Sequence, residues 1–337
     1  MPGATKTPTD EGKQLSARLA HARPHRLGYN ATLIRRDDFT EELSTFHVRY
    51  DEPLETDPAF VPGQYVALGL NNDAVPELGS VRRSMSIASA PEQTDALQFY
   101  IRFVRHPASD NPLTHLIWPI EAGERIHMTR TPRGKFTIAD TFGADDSRIR
   151  LCVSAGTGLA PFLSMLRGAK LEDPSTDMSR FVLIHAASYP ADLCYAEELL
   201  GYAEQNGLRY FRSVSRPKEA PDWTGDTGRA EDYLLPGRLE DFERRAGFAA
   251  GELTPRRAGV LVCGLQGTIA RCIERLAVRG FAPFHRRIRR VLGLGDEQPP
   301  SLWWEQYDAE PVIDIHDAAA VAALKRDLGR ASERGRW

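Results

Sequence analysis

Cysteine is scarce and scattered in this chain. Cys152, Cys194, Cys263 and Cys272 form no Cys-x-x-Cys pair and join no tight Cys/His cluster. That argues against a zinc site or a cysteine-ligated iron–sulfur cluster held by this chain, and no metal is expected. Free thiols in a reducing cytoplasm are the reading. Long apolar runs are also lacking. Nothing approaches the ~18 residues that a bilayer span needs. The opening "MPGATKTPTDEGKQLSARLAHARPHRL" has no apolar segment of the secretory kind. A soluble cytoplasmic protein without a membrane partner is expected. An excess of positive charge is missing as well. The formal net charge is −3, which removes the usual ground for expecting nucleic-acid binding.

What is present divides in two. A length of 337 residues exceeds one ordinary core. Residues 1–24 read as a flexible arm. Over 25–145, short alternating segments such as "YNATLIRRDDFT", "FVPGQYVALGL", "ALQFYIRFVR" and "ERIHMTRTPRGKFTI" predict strands of an antiparallel barrel. One short helix is predicted within "NPLTHLIWPIEAG". Over 146–284 the pattern changes to apolar strands alternating with helices, which predicts an α/β domain with a parallel sheet covered on both faces. Residues 285–337 form a tail whose last part suggests a short amphipathic helix packed on the body.

Two stretches carry chemistry. In "VSAGTGLAPF", residues 153–162, a strand runs into Gly156, Thr157 and Gly158, and Pro161 suits the first turn of a helix. The glycines allow positive φ and close approach of a ligand. Free N–H groups at the strand's carboxyl edge suit a pyrophosphate. "RRSMSIASAP", residues 82–91, reads equally well as an edge strand with solvated side chains and as a strand that holds a ligand, with Arg83 at a phosphate, Ser86 at a heterocycle and Arg82 facing solvent.

Together these stretches resemble the ferredoxin–NADP⁺ reductase superfamily. Its flavin strand reads Arg-x-Tyr-Ser, and its nicotinamide domain opens with Gly-Thr-Gly-x-Ala-Pro-Phe. Here they are Arg83-Ser84-Met85-Ser86 and Gly156-Thr157-Gly158-Leu159-Ala160-Pro161-Phe162. "VCG" at 262–264 is similar to the family's Cys-Gly motif, and the likeness spans residues 28 to about 308. Bacterial ferredoxin/flavodoxin reductases look closest. The supporting segments are "FYIR" (99–102), "DNPLT" (110–114), "HAASYPADLCY" (185–195), "SVSR" (213–216) and "TGR" (227–229).

The resemblance implies FAD in the barrel domain and NADP(H) in the α/β domain. Arg83, Ser84, Met85 and Ser86 would line the flavin, with Ser86 near the atom that takes the hydride. Phe99, Tyr100, Ile101 and Arg102 would border it, and Pro112, Leu113 and Thr114 would face the pyrophosphate. Gly156, Thr157, Gly158 and Pro161 would form the turn that meets both cofactors. Ser188, Ser215, Arg216 and Arg229 would surround an adenosine 2′-phosphate. Cys263 and Gly264 would line the nicotinamide pocket. In "SLWWEQYD" (301–308), Tyr307 would cover the flavin, with Trp304 second, and Glu305 would help move a proton. Ser86, Cys263, Glu305 and Tyr307 are thus the implied catalytic set.

The chain departs from that pattern at three places. Met85 stands where the family has tyrosine, so a thioether meets the ring instead of a phenol. Asn111 replaces a glycine, and Ser188 replaces the first phosphate arginine, leaving Arg216 and Arg229. The implied function is hydride exchange with NADP(H) and single-electron delivery to a separate, acidic ferredoxin or flavodoxin, by a monomer. The alternatives are the reductase component of an oxygenase and a non-catalytic nucleotide-binding regulator. "HRRIRR" (285–290) reads equally well as a solvated helix end and as a docking patch for the acidic carrier.

Overall fold

The computed structural model describes residues 26–54, 58–93, 95–143, 145–295 and 297–333. The arm expected over 1–24 lies outside the described residues. Six antiparallel strands come first: β1 (Ala31–Thr40), β2 (Leu43–Tyr50), β3 (Tyr65–Asn71), β4 (Ser80–Ser86), β5 (Leu97–Arg102) and β6 (Arg125–Met128). Their order is β4-β3-β6-β1-β2-β5. Alternation does the folding here: Val66, Leu68 and Leu70 turn inward from β3 to meet Phe46, Phe99 and Ile126. Helix α1 (Leu113–Ile117) plugs this core with Leu113 and Ile117, which share a face at i and i+4. Past β4 the chain meets β5 where the Ala88 N–H donates to the Gln98 carbonyl at 2.8 Å. The sheet therefore curls toward closure with no ladder between its edge strands among the described residues.

The strand expected across "ERIHMTRTPRGKFTI" is shorter than its alternation suggested. It stops at Met128, and helix α2 (Ile138–Thr141) follows, capped by the Thr137 hydroxyl, which accepts from the Asp140 N–H at 3.0 Å. Pro132 and Gly134 lie between, and they flank a single bridge from Arg133 to Tyr65 of β3.

The second sheet holds β7 (Ile149–Ala155), β8 (Phe181–Ala187), β9 (Arg209–Val214), β10 (Asp226–Thr227), β11 (Ala258–Gly264) and β12 (Leu302–Gln306). Every pairing is parallel, in the order β10-β9-β8-β7-β11-β12. Both β8 and β11 are buried at every residue, as strands covered on two faces must be. On one face Cys152, Leu183 and Leu261 meet Phe162, Leu163 and Leu166 of helix α3 (Ala160–Glu172), with Leu199 of helix α4 (Ala196–Asn206) beside them. On the other, Val153, Val260 and Val262 pack on helices α5 (Pro236–Arg245) and α6 (Gln266–Ala277). The architecture is the expected one, an antiparallel domain followed by a parallel α/β domain.

The parallel sheet runs past residue 284, because β12 from the tail becomes its edge strand. Helix α7 (Arg286–Leu292) and helix α8 (Ala318–Glu333) join the same body, with Val312 and Leu328 buried in its core. The segment after Tyr307 is held by Asp308, whose carboxylate accepts from the Gln266 N–H at 2.9 Å. Within "HRRIRR", Arg289 is buried and donates to the Gly295 carbonyl at 2.5 Å, so only Arg286, Arg287, Arg290 and His285 face outward.

Candidate active site at the junction of the two sheets

The carboxyl edge of a parallel sheet collects strand ends and helix starts, so it is where ligands meet polar groups. Here that edge faces the end of β4. The Ser86 hydroxyl donates to Glu305 Oε2 at 2.7 Å, and the Tyr307 hydroxyl donates to Ser86 Oγ at 3.0 Å. Serine and glutamate are 219 residues apart in the chain. Tyr307 also points at the Thr157 carbonyl, 3.4 Å away, and its own N–H donates to the Gly264 carbonyl at 3.2 Å. Cys263 lies in register between Ser154 of β7 and Glu305 of β12, and it is fully buried. Ser86, Cys263, Glu305 and Tyr307 therefore form one cluster, although the chain supplies them from three separate segments. Trp304, the second aromatic candidate, points away. It lies on the opposite face of β12 from Glu305 and packs edge-on against Phe284, with ring centres 4.6 Å apart.

Burial sets the charges in this cluster. It pushes the Cys263 thiol up, so the thiol stays protonated and is no nucleophile. It pushes the Glu305 carboxyl up to about 7, partly offset by the Ser86 hydrogen bond. A folded-state value above the ordinary carboxylate value favours folding at low pH. That contribution is lost as pH rises through about 7. Glu305→Gln keeps an acceptor for Ser86 and removes the buried charge. It should raise the thermal midpoint by about a few degrees at pH 8 and change it little at pH 5. Equal shifts at both pH values, read by thermal melts, would contradict this assignment.

The turn after β7 does two jobs with two glycines. Gly156 has φ +56°, and a Cβ there would meet nothing within 4 Å, so the space above it is open. Gly158 differs from expectation. It has no positive φ, and a Cβ on it would lie 2.2 Å from the Cys263 carbonyl oxygen. Its bareness serves packing of the turn against β11 rather than approach of a ligand. Pro161 sits in the first turn of α3, as expected, and is buried.

Along β4, Arg83 and Ser84 are exposed and Met85 is half-buried against the barrel core. On β5 the side chains of Phe99 and Ile101 belong to that core, leaving only their backbone for a ligand. Tyr100 is buried against Tyr195, ring centres 5.3 Å apart. Arg102 is engaged inside the protein: it pairs with Asp192 at 2.7 Å and with Glu42 at 3.3 Å. Both carboxylates are remote from it in the chain, and no local pattern announces the pairs. Pro112 precedes α1, Leu113 is buried, and the Thr114 hydroxyl is buried with no partner. Asn111 ties this loop to the β3–β4 connection, accepting from Asn72 and donating to the Leu78 carbonyl.

Ser188, Ser215, Arg216 and Arg229 meet at the carboxyl ends of β8, β9 and β10. The Arg216 N–H donates to the Ser188 carbonyl at 3.1 Å, and the Gly228 N–H to the Val214 carbonyl at 2.8 Å. Arg216 and Arg229 are both exposed there. Arg216 is oriented by Tyr189, donating to its hydroxyl at 2.6 Å while its guanidinium lies 5.3 Å from the ring centre.

The contacts that join the domains leave no signal in the sequence. Arg167 pairs with Glu198 at 2.6 Å and donates to the Ala88 carbonyl at 2.9 Å, and its guanidinium lies 4.9 Å from the Tyr195 ring centre. Tyr195 bonds Thr45 and adopts φ +63°, unusual for a side chain of its size. The Ser164 hydroxyl donates to the Ser89 carbonyl at 2.7 Å. Among the described residues no group of three or more potential metal ligands occurs, and no helix is long and apolar enough to cross a membrane.

Residues 152–274 match the family model of the oxidoreductase NAD-binding domain. The chain is 30% identical over 233 residues to ferredoxin–NADP reductase A of Sorangium cellulosum, covering 66% of this chain and 74% of that protein. It is 29% identical over 183 residues to the reductase component of a propane 2-monooxygenase from Mycolicibacterium smegmatis, covering 54% of this chain and 47% of that one. In fold it is similar to a ferredoxin NADP⁺ reductase from Neisseria gonorrhoeae, solved with bound FAD and NADP. The TM-score is 0.63 at 22% identity, over 83% of this chain and 98% of the other.

Proposed function

This chain belongs to the ferredoxin–NADP⁺ reductase superfamily of oxidoreductases, and on that premise we propose that it exchanges a hydride between NADP(H) and bound FAD and passes electrons singly to a separate ferredoxin or flavodoxin. The observation that carries the proposal is the Tyr307–Ser86–Glu305 chain, because it brings both domains to one polar point. FAD would supply the redox chemistry, accepting two electrons as hydride and releasing them one at a time.

The residues fit the two cofactors. The orphaned Thr114 hydroxyl beside the start of α1 is a buried donor in need of an acceptor, as a pyrophosphate would be. Arg83, exposed on β4, supplies positive charge for a phosphate. The open space over Gly156 admits a ligand against bare backbone. Arg216 and Arg229, with Ser188 and Ser215, suit a dianionic 2′-phosphate. Met85 offers a polarisable contact to a flavin ring but no hydroxyl.

The chain's own residues then orient and hold protons. With Glu305 ionised, both hydroxyls of the Tyr307–Ser86 pair point toward it. With Glu305 protonated, the acid can donate to Ser86 Oγ, and the serine hydrogen turns outward to a ligand. A carboxyl titrating near 7 makes both orientations accessible at neutral pH. Tyr307 is about two-fifths exposed, so its ring covers the junction without sealing it.

The acceptor class rests on charge. Arg286, Arg287 and Arg290 project from α7 and suit an acidic carrier. Replacing all three with alanine should slow reduction of ferredoxin about tenfold at low salt and little at high salt, since exposed charges are screened within ~10 Å at 0.1 M. Stopped-flow rates with an unchanged salt dependence would sink this patch as the docking site. A second acceptor, the terminal component of an oxygenase, is favoured by the likeness to the monooxygenase reductase component. The half-reaction with NADPH is the same, and rates with purified acceptors decide between them. The assay for the proposal as a whole is anaerobic flavin reduction by NADPH.

A further inference from the structure

The segment between β8 and α4 touches the arginine pocket at one end and the flavin-side sheet at the other. Its first residues serve Arg216: Ser188 accepts the Arg216 N–H at 3.1 Å, and the Tyr189 hydroxyl accepts from the guanidinium at 2.6 Å. Its later residues are clasped by the antiparallel sheet. Asp192 is 5% exposed and pairs with Arg102 of β5 at 2.7 Å. The Tyr100 hydroxyl points at the Asp192 carbonyl, 3.4 Å away. Tyr195 bonds Thr45 of β2 and packs edge-on against Phe39, ring centres 5.2 Å apart. The two ends are themselves joined, because the Asp192 N–H donates to the Tyr189 carbonyl at 3.1 Å.

A buried carboxylate whose cation comes from another domain fixes a distance, because moving either body strands a charge. We propose that Asp192, held by Arg102, is a positioning residue that fixes the 2′-phosphate pocket around Arg216 at a set distance from the flavin-side sheet, so that a dinucleotide spanning both is bound in register. The inference rests on the proposed role of Arg216. A ligand that reaches only the pocket does not sense this distance. A ligand that spans the junction does, since its two ends must fit at once. Sequence alone hides the device, because Arg102 and Asp192 each lie in motifs that suggest direct cofactor contact.

The test is binding calorimetry on the FAD-loaded protein with two probes, NADP⁺ and 2′-AMP. Asp192→Asn keeps the shape and removes the charge. It should weaken NADP⁺ about tenfold, which is about 1.4 kcal/mol, and leave 2′-AMP within about twofold. Arg102→Gln should give the same pattern, and retained flavin absorbance shows that either variant is folded. Unchanged NADP⁺ affinity overturns the proposal. So does equal weakening of both probes, which would mean local damage to the pocket. Arg216→Ala separates the underlying reading, because it should weaken both probes. If it weakens neither, the pocket assignment fails first and the positioning role falls with it.

Discussion

Ser86→Ala should slow reduction of the bound flavin by NADPH about a hundredfold, the usual cost of removing one preorganised hydrogen-bond donor from a reacting centre. Ser86 is hydrogen-bonded to both Tyr307 and Glu305, so its loss does more than delete one donor. Tyr307 loses the acceptor that holds its ring near the junction, and it retains the longer contact to the Thr157 carbonyl. Glu305 loses the hydrogen bond that partly offsets its burial, so its carboxyl should titrate higher than in the parent protein. The pH profile of flavin reduction should then move upward as the rate falls. Stopped-flow absorbance across pH 5–9 reads both effects. Ser86→Thr, which keeps the hydroxyl, should recover much of the rate. A rate within about twofold of the parent for Ser86→Ala would remove Ser86 from the reacting centre.

Gly158→Ala should be damaging out of proportion to the single methyl group it adds. The new Cβ would lie 2.2 Å from the Cys263 carbonyl oxygen and 2.6 Å from its carbon, both backbone atoms with no rotamer to escape into. Either the turn after β7 or the end of β11 must shift, and both carry the site. Overpacking of a well-packed region costs about 1–3 kcal/mol, so the thermal midpoint should fall by about 2–10 °C. NADP⁺ affinity should fall as well, because the turn moves relative to Gly264. Gly156→Ala is the matched control. Its Cβ meets only open space, but its φ of +56° disfavours any side chain. That variant should lose less stability and show its effect mainly on ligand binding. If the two variants behave alike, the division of labour between the glycines is wrong.

The contrast between these glycines shows what was legible in the sequence. The string Gly156-Thr157-Gly158 announced a tight turn at a strand end, and alternation in segments such as "YVALGL" announced the antiparallel sheet. Both are local signals with fixed periods. Which glycine bends and which one packs depends on β11, whose register with β7 no local pattern encodes. The partner of Arg102 is hidden for the same reason: Asp192 reaches it from across the domain boundary. Resemblance alone points to Glu305 and Tyr307, and their bonds to Ser86 form only once β12 joins the parallel sheet. Arg167 lies in no motif, and the motif that ends at Tyr195 says nothing of Thr45, yet both residues bind the two domains together.

Met85 is the departure with the plainest consequence for the cofactor. It packs half-buried from β4 against the core of the antiparallel sheet, so a flavin ring placed there would meet a thioether rather than a phenol. One titration bears on the proposed hydride transfer more directly than any other measurement. Purified protein is loaded with FAD, freed of excess, and titrated anaerobically with NADPH while its visible spectrum is recorded. The account predicts retained yellow absorbance that bleaches at about one equivalent of NADPH, with NADH needing a large excess. Protein that washes colourless, or colour that NADPH leaves unchanged, would contradict it.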